Sequence, residues 1–143
     1  MFSLSDLDLE NAPVIAPVEE GSYRVRLLEL AIRSQQAPKT GVYLTAALDV
    51  TDEPTAETVR HFVTMMPDRS MPDKDAVRAK SRIKAFLDHF NLPYSMEQVE
   101  ADGRIVHPEA VGAEAVVYLG VRDGQNGEPE NFIKTLQAPT PGA

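Results

Sequence analysis

Cations and aromatic rings alternate along what the sequence predicts to be one face of a β-sheet. In the stretches 21–50 and 57–66, the predicted outward positions hold Arg24, Arg26, Tyr43, Thr45, Arg60 and Phe62. Lys39, in a turn between two of the strands, is a further cation that would flank this face. Cations track a phosphate backbone, and flat rings stack on unpaired bases, each stack being worth roughly 1–3 kcal/mol. Proteins that bind single-stranded nucleic acid combine these two kinds of side chain.

The same pattern also has a purely structural interpretation. Tyr43 and Phe62 are suitable cross-strand partners that cover a sheet, and arginines on a strand are often simply solvated. A one-residue slip in strand phase would also exchange the outward residues for the core residues. The hypothesis of nucleic-acid binding therefore names these side chains as the contacts: Arg24, Arg26, Lys39, Tyr43, Arg60 and Phe62.

Three strands must position these residues. The stretch 21–50 alternates apolar and polar residues on both sides of a turn at 38–41, which predicts two long strands. The doublet Leu27-Leu28 shifts the apolar phase by one residue, which is what a β-bulge produces. In the second strand every other residue from Val42 onward should face the core, and the β-branched and aromatic stretch 57–66 predicts a third strand.

A helical segment should follow the third strand. Apolar residues recur at intervals of three and four over 73–90, which predicts a long amphipathic helix. The Asn-Leu-Pro sequence at 91–93 should end it, because proline disfavours helical geometry in the preceding residue. Ser95 followed by Gln98 is a capping-box signature, which predicts a second, short helix over 96–101.

Two more strands, 115–122 and 132–136, are predicted around a hairpin at Asn126-Gly127. Five strands with a helical segment between strands 3 and 4 is the element order of an OB-fold, a partly open Greek-key barrel. We therefore expect a mainly β fold with one long and one short helix, arranged as a five-stranded OB-like barrel. The expected organisation is an acidic flexible arm at 1–20, the OB-like domain at 21–137 and a frayed C-terminus at 138–143.

The net charge of -8 argues against a nucleic-acid partner until its distribution is considered. Residues 1–20 carry five acids and no base, which leaves -3 for the rest of the chain. Within that remainder, 21–50 and 71–90 each carry a local charge of +2. The chain is therefore acidic with two basic islands.

Most kinds of chemistry lack their required residues. The absence of cysteine excludes disulfides and thiolate metal sites, and the three histidines have no short metal-ligand spacing. No phosphate-loop, dinucleotide or serine-hydrolase motif occurs. We expect no enzyme activity, cofactor or metal. The N-terminal stretch lacks a basic region followed by an apolar run, so a cytoplasmic location is expected.

Five short motifs follow one another over roughly residues 10–137: EEGSYRV (19–25), KTGVYLTAALDV (39–50), RIKAFLDHFNLP (82–93), VGAEAVVYLGV (111–121) and NFIKTL (131–136). In these motifs the sequence resembles the phage-encoded single-stranded-DNA-binding proteins of replication and recombination regions. The resemblance implies an OB-like barrel that coats single-stranded DNA without catalysis. A homo-oligomer is compatible with the sequence. Many single-stranded-DNA-binding proteins recruit partners through an acidic C-terminal tail. Here the acidic arm at 1–20 is the candidate for binding replication or recombination proteins.

A second functional hypothesis remains open. A β-barrel with an acidic arm also fits a virion or other structural component, or a protein-interaction module that binds no nucleic acid. Oligonucleotide binding that depends on the cation and aromatic set distinguishes the first hypothesis from the second.

Overall fold

Seven strands and one α-helix make up the fold in the computed structural model, which describes residues 3–34 and 41–137. The elements are β1 (Gly21–Ser34), β2 (Val42–Val50), β3 (Val59–Met65), α1 (Asp73–His89), β4 (Val99–Ala101), β5 (Arg104–Val106), β6 (Glu114–Asp123) and β7 (Pro129–Thr135). Short 3-10 helices lie at Leu4–Leu7, Leu9–Asn11 and Pro108–Ala110. Lys39 and the C-terminal stretch 138–143, for which the sequence made predictions, lie outside the described residues.

All strands join one antiparallel sheet whose main path runs β3-β2-β1-β5-β4. The first half of β1 also pairs with β6, and β6 pairs with β7. The sheet curls until β7 approaches β3, but no ladder joins these two strands in the part of the chain that the structure describes. The mainly β fold is therefore confirmed. The expected count of five strands is wrong, and a closed five-stranded barrel is not confirmed.

The prediction of a short helix over 96–101 is wrong. Val99–Ala101 is instead strand β4, which forms a hairpin with β5. The turn between them is Asp102-Gly103, and both residues have positive φ, at 51° and 78°. Asp-Gly suits a two-residue hairpin turn that requires positive φ at both positions. The capping-box signature at Ser95 is present in the sequence, but the hairpin signal decides the local structure.

The predicted phase shift in β1 is confirmed as a register jump between Leu27 and Glu29 in the ladder with β2. Val25 and Leu27 are buried before the jump, and Leu30 is buried after it. Leu28, which was expected to face the core, is the residue left out of the pairing and is 42% exposed. The bulge increases the local twist, and β1 pairs with β6 before it and with β5 after it.

Helix α1 packs against β3 and covers the open side of the sheet. It ends at His89, just before the Asn-Leu-Pro sequence that was predicted to stop it, and Asn91 takes a positive φ of 55°. The Leu92 amide donates to the Leu87 carbonyl and the Asn91 amide to the Asp88 carbonyl, the two hydrogen bonds of a Schellman cap. The largest fully buried side chains combine sheet and helix: Val25, Leu27, Leu30, Leu48, Val50, Val59, Phe86, Val117 and Leu119.

Candidate nucleic-acid interface

Two aromatic rings, one exposed and one half-buried, form a stacked platform on the outer face of the sheet. Tyr43 lies on β2 and Phe62 on β3, where Phe62 is the ladder partner of Thr45. The ring centroids of Tyr43 and Phe62 are 5.5 Å apart with an interplanar angle of 30°, a stacked geometry. Phe62 is 53% exposed. We call this pair the aromatic platform, and its outer surface is available to a further flat ring.

Cations from three strands surround the aromatic platform. An open cavity of about 400 Å³ adjoins the rings. Its lining includes Arg33 from β1, Arg60 from β3 and Arg122 from β6. The strand register explains the first two positions, because Arg33 of β1 is the ladder partner of Tyr43 of β2. Arg60 lies two residues before Phe62 on the same face of β3. These three cations therefore line the same cavity as the two rings.

One acid, Glu29, lies in this cavity, and two arginines neutralise it. Its carboxylate accepts a hydrogen bond of 2.6 Å from Arg33 and one of 3.0 Å from Arg104. Burial alone would raise the pKa of Glu29, but the hydrogen bonds from Arg104 and Arg33 outweigh it and hold the pKa below its ordinary value. Glu29 therefore stays ionised and orients the two guanidinium groups. Asp102 also pairs with Arg104, at 3.7 Å, so the cluster of four side chains carries no net charge.

Arg60 and Arg122 differ in their availability to a ligand. Arg122 pairs with Glu130 at 3.1 Å and lies 4.8 Å above the centre of the Phe132 ring. The Phe132 ring is seated against Gly120, where an added Cβ would lie only 2.8 Å from it. Arg60 is exposed and forms no ion pair with any residue in 3–34 or 41–137. Arg60 is thus the cation beside the aromatic platform that a phosphate can bind without displacing an acid.

Arg24 and Arg26 lie at the other end of the sheet, although the sequence grouped them with Tyr43. Arg26 is the ladder partner of Asp49 and forms an exposed ion pair with it at 3.5 Å. From Asp49 to Tyr43 is six residues of β2, a distance of about 20 Å along the strand. Exposed ion pairs of this kind contribute little to stability. Because of this separation along β2, the structure does not place Arg24 or Arg26 beside the aromatic platform.

His61 lies beneath the aromatic platform, on the inner side of β3. It is the ladder partner of Ala46, and its ring stacks on Phe86 with centroids 5.7 Å apart. Burial, with a smaller contribution from the positive charge of Arg122, lowers the pKa of His61 to about 4. The imidazole is therefore neutral at physiological pH and belongs to the structural support of the platform.

The structure brings together Tyr43, Arg60 and Phe62 from the predicted set, while Lys39 lies outside the described residues. Sequence reasoning missed Arg33 and Arg122. A signal for Arg33 existed: the bulge at Leu28 changes the outward phase, and counting onward from it puts Arg33 on the outward face. Arg122 had no such signal, because the curl of the sheet brings β6 to this cavity.

Among residues 3–34 and 41–137, no three acidic or histidine side chains are close enough together to hold a metal ion. No helix in those ranges is long and apolar enough to cross a membrane. No family model, curated protein or solved structure matches the chain.

Proposed function

We propose that the protein binds single-stranded DNA, without catalysis and with tolerance of sequence, in the cytoplasm during phage-type replication or recombination. One observation carries the proposal: a stacked pair of rings, the half-buried Tyr43 and the exposed Phe62, lies beside an exposed arginine, Arg60, that forms no ion pair among the described residues. Bases stack on the rings, and phosphates bind the arginine. Every base presents a flat face, so recognition by stacking tolerates sequence.

The strand connections support an OB-like fold as part of this proposal. β1 pairs with β2 and β6, β2 pairs with β3, and β6 pairs with β7. With β7 approaching β3, these five strands follow the path of an OB barrel, and β4 and β5 form an added hairpin at the edge of β1. OB-folds bind oligonucleotides on the face of their second and third strands, where the aromatic platform lies.

Binding to a fluorescently labelled oligo-dT, measured by anisotropy, tests the function directly. We expect saturable binding that weakens between roughly 50 and 200 mM salt, because each neutralised phosphate adds about -0.7 to the slope of log affinity against log salt. If no binding occurs at low salt with tens of micromolar protein, the proposal is wrong. A virion component or a protein-interaction module would then be the better hypothesis.

Two matched variants locate the interface on the sheet. R60A should reduce the steepness of the salt slope by about 0.7, the contribution of one phosphate contact. R26A removes the same charge, but Arg26 is paired with Asp49 at the far end of β2, so its slope should equal that of the wild type. A loss with R26A equal to that with R60A would contradict an interface at the platform.

We propose that the acidic arm at 1–20 binds replication or recombination proteins. Its C-terminal part is fixed: Val18 exchanges two hydrogen bonds with the Asn131 side chain, at 2.8 and 2.9 Å, and Glu20 pairs with Lys134 at 3.2 Å. The preceding residues 3–15 are exposed. They combine acids with exposed apolar side chains: Leu4, Leu7, Leu9, Val14 and Ile15.

A labelled peptide of residues 1–15, titrated with each purified replication and recombination protein of the same genome, tests this role of the arm. We expect saturable binding to at least one of them, weakened when Leu4, Leu7 and Leu9 are replaced by serine, because these side chains are exposed in the free protein. The absence of binding to all of these proteins would exclude the arm as their docking segment.

A further inference from the structure

A groove between β3 and α1 begins at the aromatic platform. Its volume is about 270 Å³, and Phe62 lines both this groove and the cavity beside the platform. Met65 and Met71 add apolar surface to the groove. The two depressions therefore meet at one exposed ring and present a continuous surface that crosses β3 toward the helix.

The helix side of this groove carries two arginines. Arg78 and Arg82 both line it. Residues four apart on a helix lie on the same face, about 5–6 Å apart at Cβ. Both are exposed, and neither pairs with an acid within the described ranges 3–34 and 41–137. Asp75 is the acid that lines the groove, so the local balance of charge favours an anion.

We infer that single-stranded DNA continues from the aromatic platform over Phe62 into this groove, where Arg78 and Arg82 bind its phosphates and the apolar lining contacts its bases. The inference rests on the proposed function and extends it, because it assigns the path of the bound strand and the cations that bind its phosphates along that path. The side of helix α1 that lines the groove, within the basic island at 71–90, becomes part of the binding site.

The test compares two double variants on oligo-dT of two lengths. R78A/R82A and K74A/K80A each remove two positive charges from α1, but Lys74 and Lys80 do not line the groove. Oligomers of about 6 and about 16 nucleotides lie toward the two ends of the range of about 4–16 nucleotides that one OB-fold covers. The short oligomer reports on the platform, and the long one also reaches the groove.

With the long oligomer, R78A/R82A should reduce the steepness of the salt slope by about 1.4, which is two phosphate contacts. That change corresponds to about 25-fold weaker binding at 0.1 M salt if affinities at 1 M are equal. With the short oligomer its slope should equal that of the wild type. K74A/K80A should match the wild type with both lengths.

The outcomes separate the two proposals. If R78A/R82A behaves like K74A/K80A on the long oligomer while the wild type binds, the groove path is wrong and the function stands. Equal losses on both lengths would also overturn the path. If the wild type binds neither oligomer at low salt, both proposals fail. R78Q/R82Q, which keeps polar side chains of similar length, replaces the alanine variant if the latter does not fold.

Discussion

Replacement of both rings of the aromatic platform, in Y43A/F62A, is expected to weaken binding to oligo-dT by at least about 30-fold at fixed salt. Each base stack on an aromatic side chain is worth roughly 1–3 kcal/mol, and 1.4 kcal/mol corresponds to a factor of ten. The salt slope should not change, because the variant removes no charge. Anisotropy titrations at three or more salt concentrations measure both quantities.

The fold should tolerate this change. Phe62 is 53% exposed, and the pair lies on the outer face of the sheet. Loss of a cross-strand aromatic pair costs roughly 0.2–1 kcal/mol, so thermal unfolding should remain cooperative. The control is Y94A, which removes a ring that is 64% exposed but lies beyond the C-terminal end of α1.

The comparison decides between the two interpretations of the platform. If the rings only cover the sheet, Y43A/F62A and Y94A will bind oligo-dT equally well. If the rings stack on bases, the platform variant alone loses affinity. A large loss accompanied by a flatter salt slope would instead mean that the substitutions had displaced the neighbouring arginines, and stacking would not be the cause.

Strand faces could be predicted from the sequence more readily than positions along the strands. Alternation in β2 predicted that Val42, Leu44, Ala46, Leu48 and Val50 are inward. The last four are buried, but Val42, the first residue of the strand, is 41% exposed. Alternation says only which side of the sheet a residue occupies, however. Arg26 is therefore on the predicted surface, yet about 20 Å of strand separates its partner from Tyr43.

Bulges limited the prediction in a different way. The doublet Leu27-Leu28 revealed one bulge in β1, because two adjacent apolar residues cannot both face the core of a regular strand. In β3 a second register shift leaves both Val63 and Thr64 buried. Thr64 is polar, so no apolar doublet marked that shift. The outward phase was right up to Phe62 and wrong after it.

Contacts across the curl of the sheet could not be predicted at all. Arg122 reaches the platform cavity, and its charge acts on His61, although 61 positions separate the two residues in the chain. The pairing of distant strands determines such contacts, and it leaves no period in the sequence. The same holds for the groove, because the α1 arginines gain their relation to Phe62 only through packing of the helix on β3.

His61 should make the folded protein sensitive to mild acid. Its pKa is about 4 in the folded protein because of burial and the charge of Arg122, against an ordinary value of 6.5. Between these values the unfolded chain takes up a proton that the folded protein does not. The contribution of the neutral His61 to the free energy of unfolding is therefore complete above pH 6.5. It falls by about 1.4 kcal/mol for each pH unit below that value, so that about 3 kcal/mol is lost by pH 4.

Urea unfolding at pH 7 and pH 4.5 measures this loss, and H61F isolates it. Phenylalanine keeps a ring against Phe86 but does not titrate, so the difference in unfolding free energy between the two pH values should be smaller in H61F by about 2–3 kcal/mol. Carboxylates also begin to titrate near pH 4.5, but both proteins share them, and the comparison removes their contribution. An equal loss of stability in H61F and the wild type would mean that His61 is protonated in the folded protein at pH 4.5. The imidazole beneath the aromatic platform would then be hydrated, and the packing of β3 against α1 would be looser than the stacked His61 and Phe86 rings indicate.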